Sequence, residues 1–150
     1  MNCYKLKTIK GIENWDFSKF TALSSVFAIC NSLENVDVSN WKLPKGSGGI
    51  LIKGITNIFT SCRNLKKLDL SKWDVSKMTS LKSLFSCCKG LETVGDISGW
   101  DVSSAINIED MFYSCENLTL DISKWKLHPS VFKTRAFYKT NRKIFKKPKQ

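Results

Sequence analysis

Residues 65–88, LKKLDLSKWDVSKMTSLKSLFSCC, hold the most regular copy of the pattern that decides the fold. Leu68-Asp69-Leu70 alternates apolar and polar side chains, which is typical of a half-buried strand. Trp73 follows, and the apolar residues after it are spaced three, three, one and three positions apart. That spacing predicts one face of a short helix. The residues on this face are Met78, Leu81, Leu84, Phe85 and Cys88.

The same unit recurs along the whole chain. One cysteine per unit returns at intervals of 27, 32, 26 and 27 residues, with a leucine three positions after each. The long interval contains an insertion at about 44–49, whose Pro, Gly and Ser residues predict a surface loop. The recurring residues are the cysteines Cys3, Cys30, Cys62, Cys88 and Cys115, the tryptophans Trp15, Trp41, Trp73, Trp100 and Trp125, and the phenylalanines Phe27, Phe59, Phe85, Phe112 and Phe137.

One strand and one short helix cannot bury their apolar faces alone, so neighbouring units must pack side by side. The repeat therefore predicts an α/β fold, a right-handed leucine-rich-repeat-like solenoid of about five turns. Parallel strands would form one face and short helices the other. We expect the solenoid to span residues 1–137 and a basic C-terminal tail to span residues 138–150.

The residues Leu65-x-x-Leu68-Asp69-Leu70-Ser71-x-Trp73-Asp74-Val75-Ser76 and Leu84-Phe85-x-x-Cys88 resemble the BspA-like leucine-rich repeat. That repeat occurs in mycoplasma surface lipoproteins and in related bacterial, protist and viral proteins. The resemblance covers about residues 3–137 and implies a solenoid that binds other macromolecules, with no catalytic residues to carry over. The sequence shows no signal or lipid-anchor segment, so we expect an intracellular or virion location.

Basic residues are concentrated at the C-terminus. Residues 1–121 contain 14 Lys and Arg against 13 Asp and Glu, whereas residues 122–150 contain 10 basic residues and no acidic one. Aromatic residues lie between these cations, a pattern typical of binding to nucleic-acid phosphates and bases. The alternative is a solvated end that aids solubility, and in either case we expect the tail to contribute little to the fold. The candidate partner-binding residues are Lys133, Arg135, Lys139, Arg142, Lys143, Lys146, Lys147 and Lys149.

A second candidate set consists of four aspartates that occupy the same position in successive strands. Like charges in one column repel, so a counter-group is expected. Backbone amides and the serine two positions later are one possibility. A cation or a basic segment of a partner is the other. The residues are Asp37, Asp69, Asp96 and Asp121.

The cysteines and tryptophans recur too regularly to be isolated reactive groups. We expect the cysteines to form a buried, reduced packing column, since the short paired spacing of zinc ligands is absent. The tryptophans could stack on sugars or bases, but their fixed position beside each strand favours a place in the core.

Nothing in the sequence indicates catalysis. His128 is the single histidine, and no nucleophile motif accompanies it. We therefore expect a protein that is not an enzyme, with no cofactor, no metal, no small-molecule substrate and no membrane span.

The favoured function is a structural or interaction subunit of a larger assembly, a virion or another nucleoprotein particle. It would dock on protein partners through the solenoid and use the tail as an electrostatic anchor on nucleic acid or an acidic surface. The alternatives are a cell-surface recognition or adhesion module from a longer protein and a nucleic-acid-binding adaptor.

Overall fold

The computed structural model describes residues 3–45, 52–141 and 145–148. Within these ranges the chain forms six short strands that associate as three two-stranded parallel sheets: β1 with β3, β2 with β4, and β5 with β6. The strands are β1 (Thr8–Ile9), β2 (Ala22–Ser24), β3 (Asn35–Val36), β4 (Gly54–Thr56), β5 (Leu120–Asp121) and β6 (Phe145–Lys146).

The predicted α/β solenoid is wrong. The described ranges contain no helix, and most of their residues lie in turns and irregular segments rather than in strands. The alternating stretch Leu68-Asp69-Leu70 is not a strand either, and the nearest pairing is a single parallel bridge between Lys67 and Thr93. A helix long and apolar enough to cross a membrane is likewise not found in the described part of the chain.

Residues 81–88, which were expected to be helical, form two successive tight turns. Ser83 and Cys87 have left-handed backbone conformations, with φ of 53° and 61°. Such residues interrupt a right-handed helix. The N–H groups of Leu84, Ser86 and Cys88 donate to the carbonyl three residues earlier. The alternate N–H groups, those of residues 81, 83, 85 and 87, donate to carbonyls of the next repeat at 2.7 to 2.9 Å. The backbone amides are thus committed between repeats and cannot close the i to i−4 bonds of a helix.

Within the described residues, the same geometry occurs in five segments that we call the turn segments: 23–30, 55–62, 81–88, 108–115 and 133–140. Each contains two left-handed residues spaced four apart. A non-glycine residue costs about 1–2 kcal/mol in this conformation. In the first four segments, hydrogen bonds to the next repeat offset this cost. The pairs are Ser25 and Ile29, Asn57 and Ser61, Ser83 and Cys87, Asp110 and Ser114, and Arg135 and Lys139.

Ile29 is the residue least suited to this conformation, because it is β-branched and has a φ of 63°. Ile29→Gly should relieve about 1–2 kcal/mol of strain and lose about 0.5–1 kcal/mol through backbone entropy. Because the substitution also removes the partly buried side chain, the strain is measured against a control, and we expect Ile29→Gly to be less destabilising than that control by about 1–2 kcal/mol in chemical denaturation. The matched control is Ile106→Gly at an exposed isoleucine without positive φ, which should lose about 0.5–1 kcal/mol. Equal losses of unfolding free energy in both variants would show that the backbone of Ile29 is not strained.

Phenylalanine and cysteine form the centre of the core. The rings of Phe27, Phe59, Phe85, Phe112 and Phe137 lie in sequence order, with successive centroids 5.8, 5.9, 5.3 and 6.3 Å apart. Three of the four buried cysteines donate their thiols to a phenylalanine carbonyl of the preceding repeat. The bonds are Cys62 to Phe27 at 3.1 Å, Cys88 to Phe59 at 2.9 Å and Cys115 to Phe85 at 3.1 Å.

The predicted column of reduced cysteines is confirmed for the four buried members, Cys30, Cys62, Cys88 and Cys115, all of which are free thiols. Burial raises the pKa of Cys62 to about 12. The sulfur therefore stays protonated and available as a donor. Cys3 and Cys87 are only partly buried.

Four of the tryptophans lie in the core as expected. Each donates its indole N–H to a carbonyl of the preceding repeat, in the pairs Trp41 to Ile12, Trp73 to Val38, Trp100 to Leu70 and Trp125 to Ile97. The prediction is wrong for Trp15, which is 42% exposed although its ring stacks on Trp41 and meets Phe17 edge to face.

The C-terminal tail takes part in the fold. In β6, Phe145 pairs in register with Leu120 and is 2% exposed. Its ring meets those of Phe112 and Phe137 at 5.2 and 6.1 Å. The expectation that the tail contributes little to the fold is therefore wrong for Phe145–Lys146. Most of the insertion at 44–49 lies outside the described residues, which include only Pro44 and Lys45 of it.

Candidate binding site

The aspartate column closes tight turns. In each member, carboxylate Oδ1 accepts hydrogen bonds from the backbone N–H and the hydroxyl of the serine two residues later. For Asp69 and Ser71 these bonds measure 3.0 and 2.7 Å. Asp37, Asp96 and Asp121 bind Ser39, Ser98 and Ser123 in the same way. The serines and backbone amides are thus the counter-groups, which is the local turn chemistry that Asp and Ser favour.

The alternative for this column was a cation or a basic segment. The described residues contain no cluster of His, Cys, Asp and Glu that could hold a metal ion. A basic segment does reach the last member of the column, and it belongs to the chain itself: Lys146 Nζ lies 3.0 Å from Asp121 Oδ2. Two further aspartates, Asp74 and Asp101, make the same contacts with Ser76 and Ser103. Sequence reasoning missed them, although the Asp-x-Ser spacing could have revealed both.

The pKa of Asp121 is lowered to about 2, first by the Ser123 hydroxyl and then by Lys146 and the Ser123 amide. A lowered pKa in the folded state adds stability above the unfolded pKa of about 3.9, and this stability is lost as the pH falls towards 2. We expect Lys146→Gln to raise the pKa of Asp121, leaving it below its ordinary value because Ser123 remains. An NMR pH titration of the side-chain carboxyl measures this. Asp69, which Lys146 does not contact, should titrate as before, and an unchanged Asp121 would contradict the ion pair.

Two of the basic candidates are occupied by contacts within the protein. Arg135 donates from Nε and Nη2 to the two carboxylate oxygens of Asp110, at 2.9 and 2.7 Å. Its guanidinium also lies 5.1 Å from the centroid of the Tyr113 ring. Lys146 pairs with Asp121, as described above. These two residues hold the last repeat against the one before it.

Three other basic candidates, Lys133, Lys139 and Lys147, are exposed and come together at the C-terminal end of the molecule. None of them pairs with a carboxylate in the described part of the chain. They line one groove of about 570 Å³, which we call the basic groove. Its residues are Lys133, Arg135, Ala136, Phe137, Tyr138, Lys139, Thr140 and Lys147. The remaining candidates, Arg142, Lys143 and Lys149, lie outside the described residues.

An aromatic ring forms part of the basic groove. Tyr138 is 56% exposed, and its inner face stacks on Tyr113 with the centroids 6.0 Å apart and the planes 12° apart. Lys139 Nζ lies 6.0 Å from the centre of the same ring. The groove therefore offers unpaired positive charge beside an aromatic surface that another planar group can approach.

A comparison with protein-family models matches residues 2–47 and 50–148 to the family described as Mycoplasma protein of unknown function, DUF285. The chain belongs to this family. No curated protein and no solved structure matches it. Because the DUF285 description names no function, it assigns no role to the basic groove or to the aspartate column.

Proposed function

We propose that this DUF285 protein is a non-enzymatic interaction subunit that binds an anionic partner through the basic groove. The observation that carries the proposal is the convergence of Lys133, Lys139 and Lys147 on one groove without a carboxylate partner among the described residues. Arg135, which also lines the groove, is already paired with Asp110 through two hydrogen bonds.

The charge distribution supports the same proposal. The first 121 residues are nearly neutral, so the groove is a local concentration of positive charge and not a sample of a uniformly basic surface. A local patch attracts an anionic partner at a defined place, and screening by salt weakens that attraction.

The wider role remains a proposal. The DUF285 match is compatible with the resemblance to BspA-like repeats, which favours binding of other macromolecules through the repeats. A larger assembly, such as a virion or another nucleoprotein particle, stays a prediction. A cell-surface recognition module stays the alternative to it.

The proposal is tested by removing the three unpaired charges together, as Lys133→Gln, Lys139→Gln and Lys147→Gln. The matched control carries Lys5→Gln, Lys10→Gln and Lys19→Gln, which removes three exposed lysines near the N-terminus. We expect the groove variant to elute from immobilised heparin at lower salt than the wild type. The slope of log affinity for a short oligothymidylate against log salt should become about 2 shallower.

The control triple should behave like the wild-type protein. Equal losses in the two triple variants would show that net charge rather than the groove governs binding, and would reject the proposed function. Circular dichroism and thermal unfolding of both variants confirm that the fold is kept.

A further inference from the structure

In the turn segments before the last, every second backbone N–H group donates to a carbonyl of the next repeat. These hydrogen bonds all point in one direction along the molecule. The N–H groups of Ile55, Asn57, Phe59 and Ser61 donate to the carbonyls of residues 80, 82, 84 and 86 in the next repeat. The pattern repeats from residues 81, 83, 85 and 87 to residues 107, 109, 111 and 113, and from residues 108, 110, 112 and 114 to residues 132, 134, 136 and 138. Each peptide group carries a dipole of about 3.5 D, and aligned dipoles add.

This alignment leaves a row of donors at the last turn segment. The equivalent N–H groups there belong to Lys133, Arg135, Phe137 and Lys139. None of the four donates to an acceptor within residues 3–45, 52–141 and 145–148. The intervening N–H groups of Ala136 and Tyr138 bond within the segment. The end of the molecule that holds the basic groove therefore also presents the positive ends of the aligned peptide dipoles.

Two features make this row of backbone N–H groups suited to binding an anion. Arg135 and Lys139 are left-handed, and N–H groups around a left-handed residue form a concavity that binds anions. The cationic side chains add charge of the same sign, whereas isolated helices place negative groups beside their exposed N–H ends. Binding of an external anion neutralises this concentration of positive charge.

The residue type at one position of the repeat also favours an anion, rather than another repeat, as the partner of this end. The position four residues before the core phenylalanine is apolar and buried in the first four turn segments, as Leu23, Ile55, Leu81 and Ile108. In the last segment it is the exposed Lys133. A charged residue at this position opposes the docking of a further repeat or a second copy.

We propose that this end binds the phosphate groups of a single-stranded nucleic acid, a partner class that rests on the proposed function of the groove. The backbone N–H groups of Lys133, Arg135, Phe137 and Lys139 would donate to phosphate oxygens. The side chains of Lys133, Lys139 and Lys147 supply the counter-charge. Tyr138, half exposed and supported from behind by Tyr113, supplies the face on which a base stacks.

The backbone part of the site is tested by titrating the isotope-labelled protein with inorganic phosphate at constant ionic strength, with chloride as the balancing salt, and recording amide NMR spectra. We expect saturating shifts at the amides of residues 133, 135, 137 and 139. The internal amides of residues 108, 110, 112 and 114 are matched controls, because each already donates to a carbonyl. Absence of saturation, or equal shifts in the two sets, would overturn the proposal.

The nucleic-acid part is tested with the full chain and a short oligothymidylate. We expect Tyr138→Ala to weaken oligothymidylate binding about tenfold, the effect of losing one stacked base, and to leave the phosphate-induced amide shifts unchanged. Tighter binding of polyglutamate at the same amides would overturn the assignment in favour of an acidic protein.

These outcomes separate the two proposals. If the groove variant loses binding while the four amides do not respond to phosphate, the proposed function stands and this inference fails. If the groove and control triples lose binding equally, the proposed function itself fails.

Discussion

Trp73→Ala is expected to lower the free energy of unfolding by about 3–5 kcal/mol, the range for truncating a large buried aromatic side chain. Trp73 is 3% exposed, and its ring lies 6.1 Å from that of Trp41 and 6.4 Å from that of Phe59. The substitution also leaves the Val38 carbonyl without the indole N–H that reaches it at 2.9 Å. A buried acceptor that loses its donor adds to the cost of the cavity.

The measurement is chemical denaturation followed by circular dichroism, and the same substitution at Trp15 is its control. Trp15 has the equivalent place in the first repeat but is 42% exposed, so Trp15→Ala should cost clearly less than Trp73→Ala. Similar losses at both positions would mean that the indole rings do not depend on neighbouring repeats for their burial. A loss below about 1 kcal/mol at Trp73 would contradict its place in the core.

Phe145→Ala is expected to cost about 3–5 kcal/mol as well, although Phe145 lies in a segment whose composition is that of a solvated tail. The ring covers the last two members of the phenylalanine row, Phe112 and Phe137, at the end where no further repeat follows among the described residues. Its removal exposes both rings to water. Thermal unfolding of the full-length variant measures the loss.

The control for this prediction is Lys147→Ala, two residues away and exposed. It should leave the unfolding temperature nearly unchanged and weaken binding to oligothymidylate. Phe145→Ala and Lys147→Ala therefore separate a structural role of the tail from a binding role. A Phe145→Ala protein as stable as the wild type would show that β6 does not contribute to the fold.

The repeat itself could be predicted from sequence because its chemistry is local and periodic. The positions of Trp73, Phe85 and Cys88 within the unit indicated which side chains face inward, and the structure buries all three. The Asp-x-Ser spacing at Asp69 and Ser71 likewise indicated a local counter-group. A side chain and a backbone amide two residues apart meet whatever the rest of the chain does.

The form of the backbone could not be predicted in the same way. Apolar spacing of three and four residues is satisfied by a helix and equally by two successive turns whose inward residues fall at the same intervals. Turns form here instead of a helix because the N–H groups of residues such as Ser83 and Phe85 bond to the next repeat and not to their own segment. These hydrogen bonds require a partner about 26 residues away in sequence. The helix propensities of the residues in the segment carry no information about that partner.

By itself, then, the sequence determined the repeat, the inward-facing residues and the concentration of positive charge at the C-terminus, because composition and period are properties of the chain alone. Tertiary structure alone decided which lysines remain unpaired, since Arg135 and Lys146 find carboxylates one repeat earlier while Lys133, Lys139 and Lys147 do not. It also decided that Phe145 belongs to the core and that four backbone N–H groups of the last turn segment find no acceptor among the described residues. The physical reason is the same in each case: a hydrogen bond or ion pair between repeats requires two groups to meet in space, and their register follows only from packing.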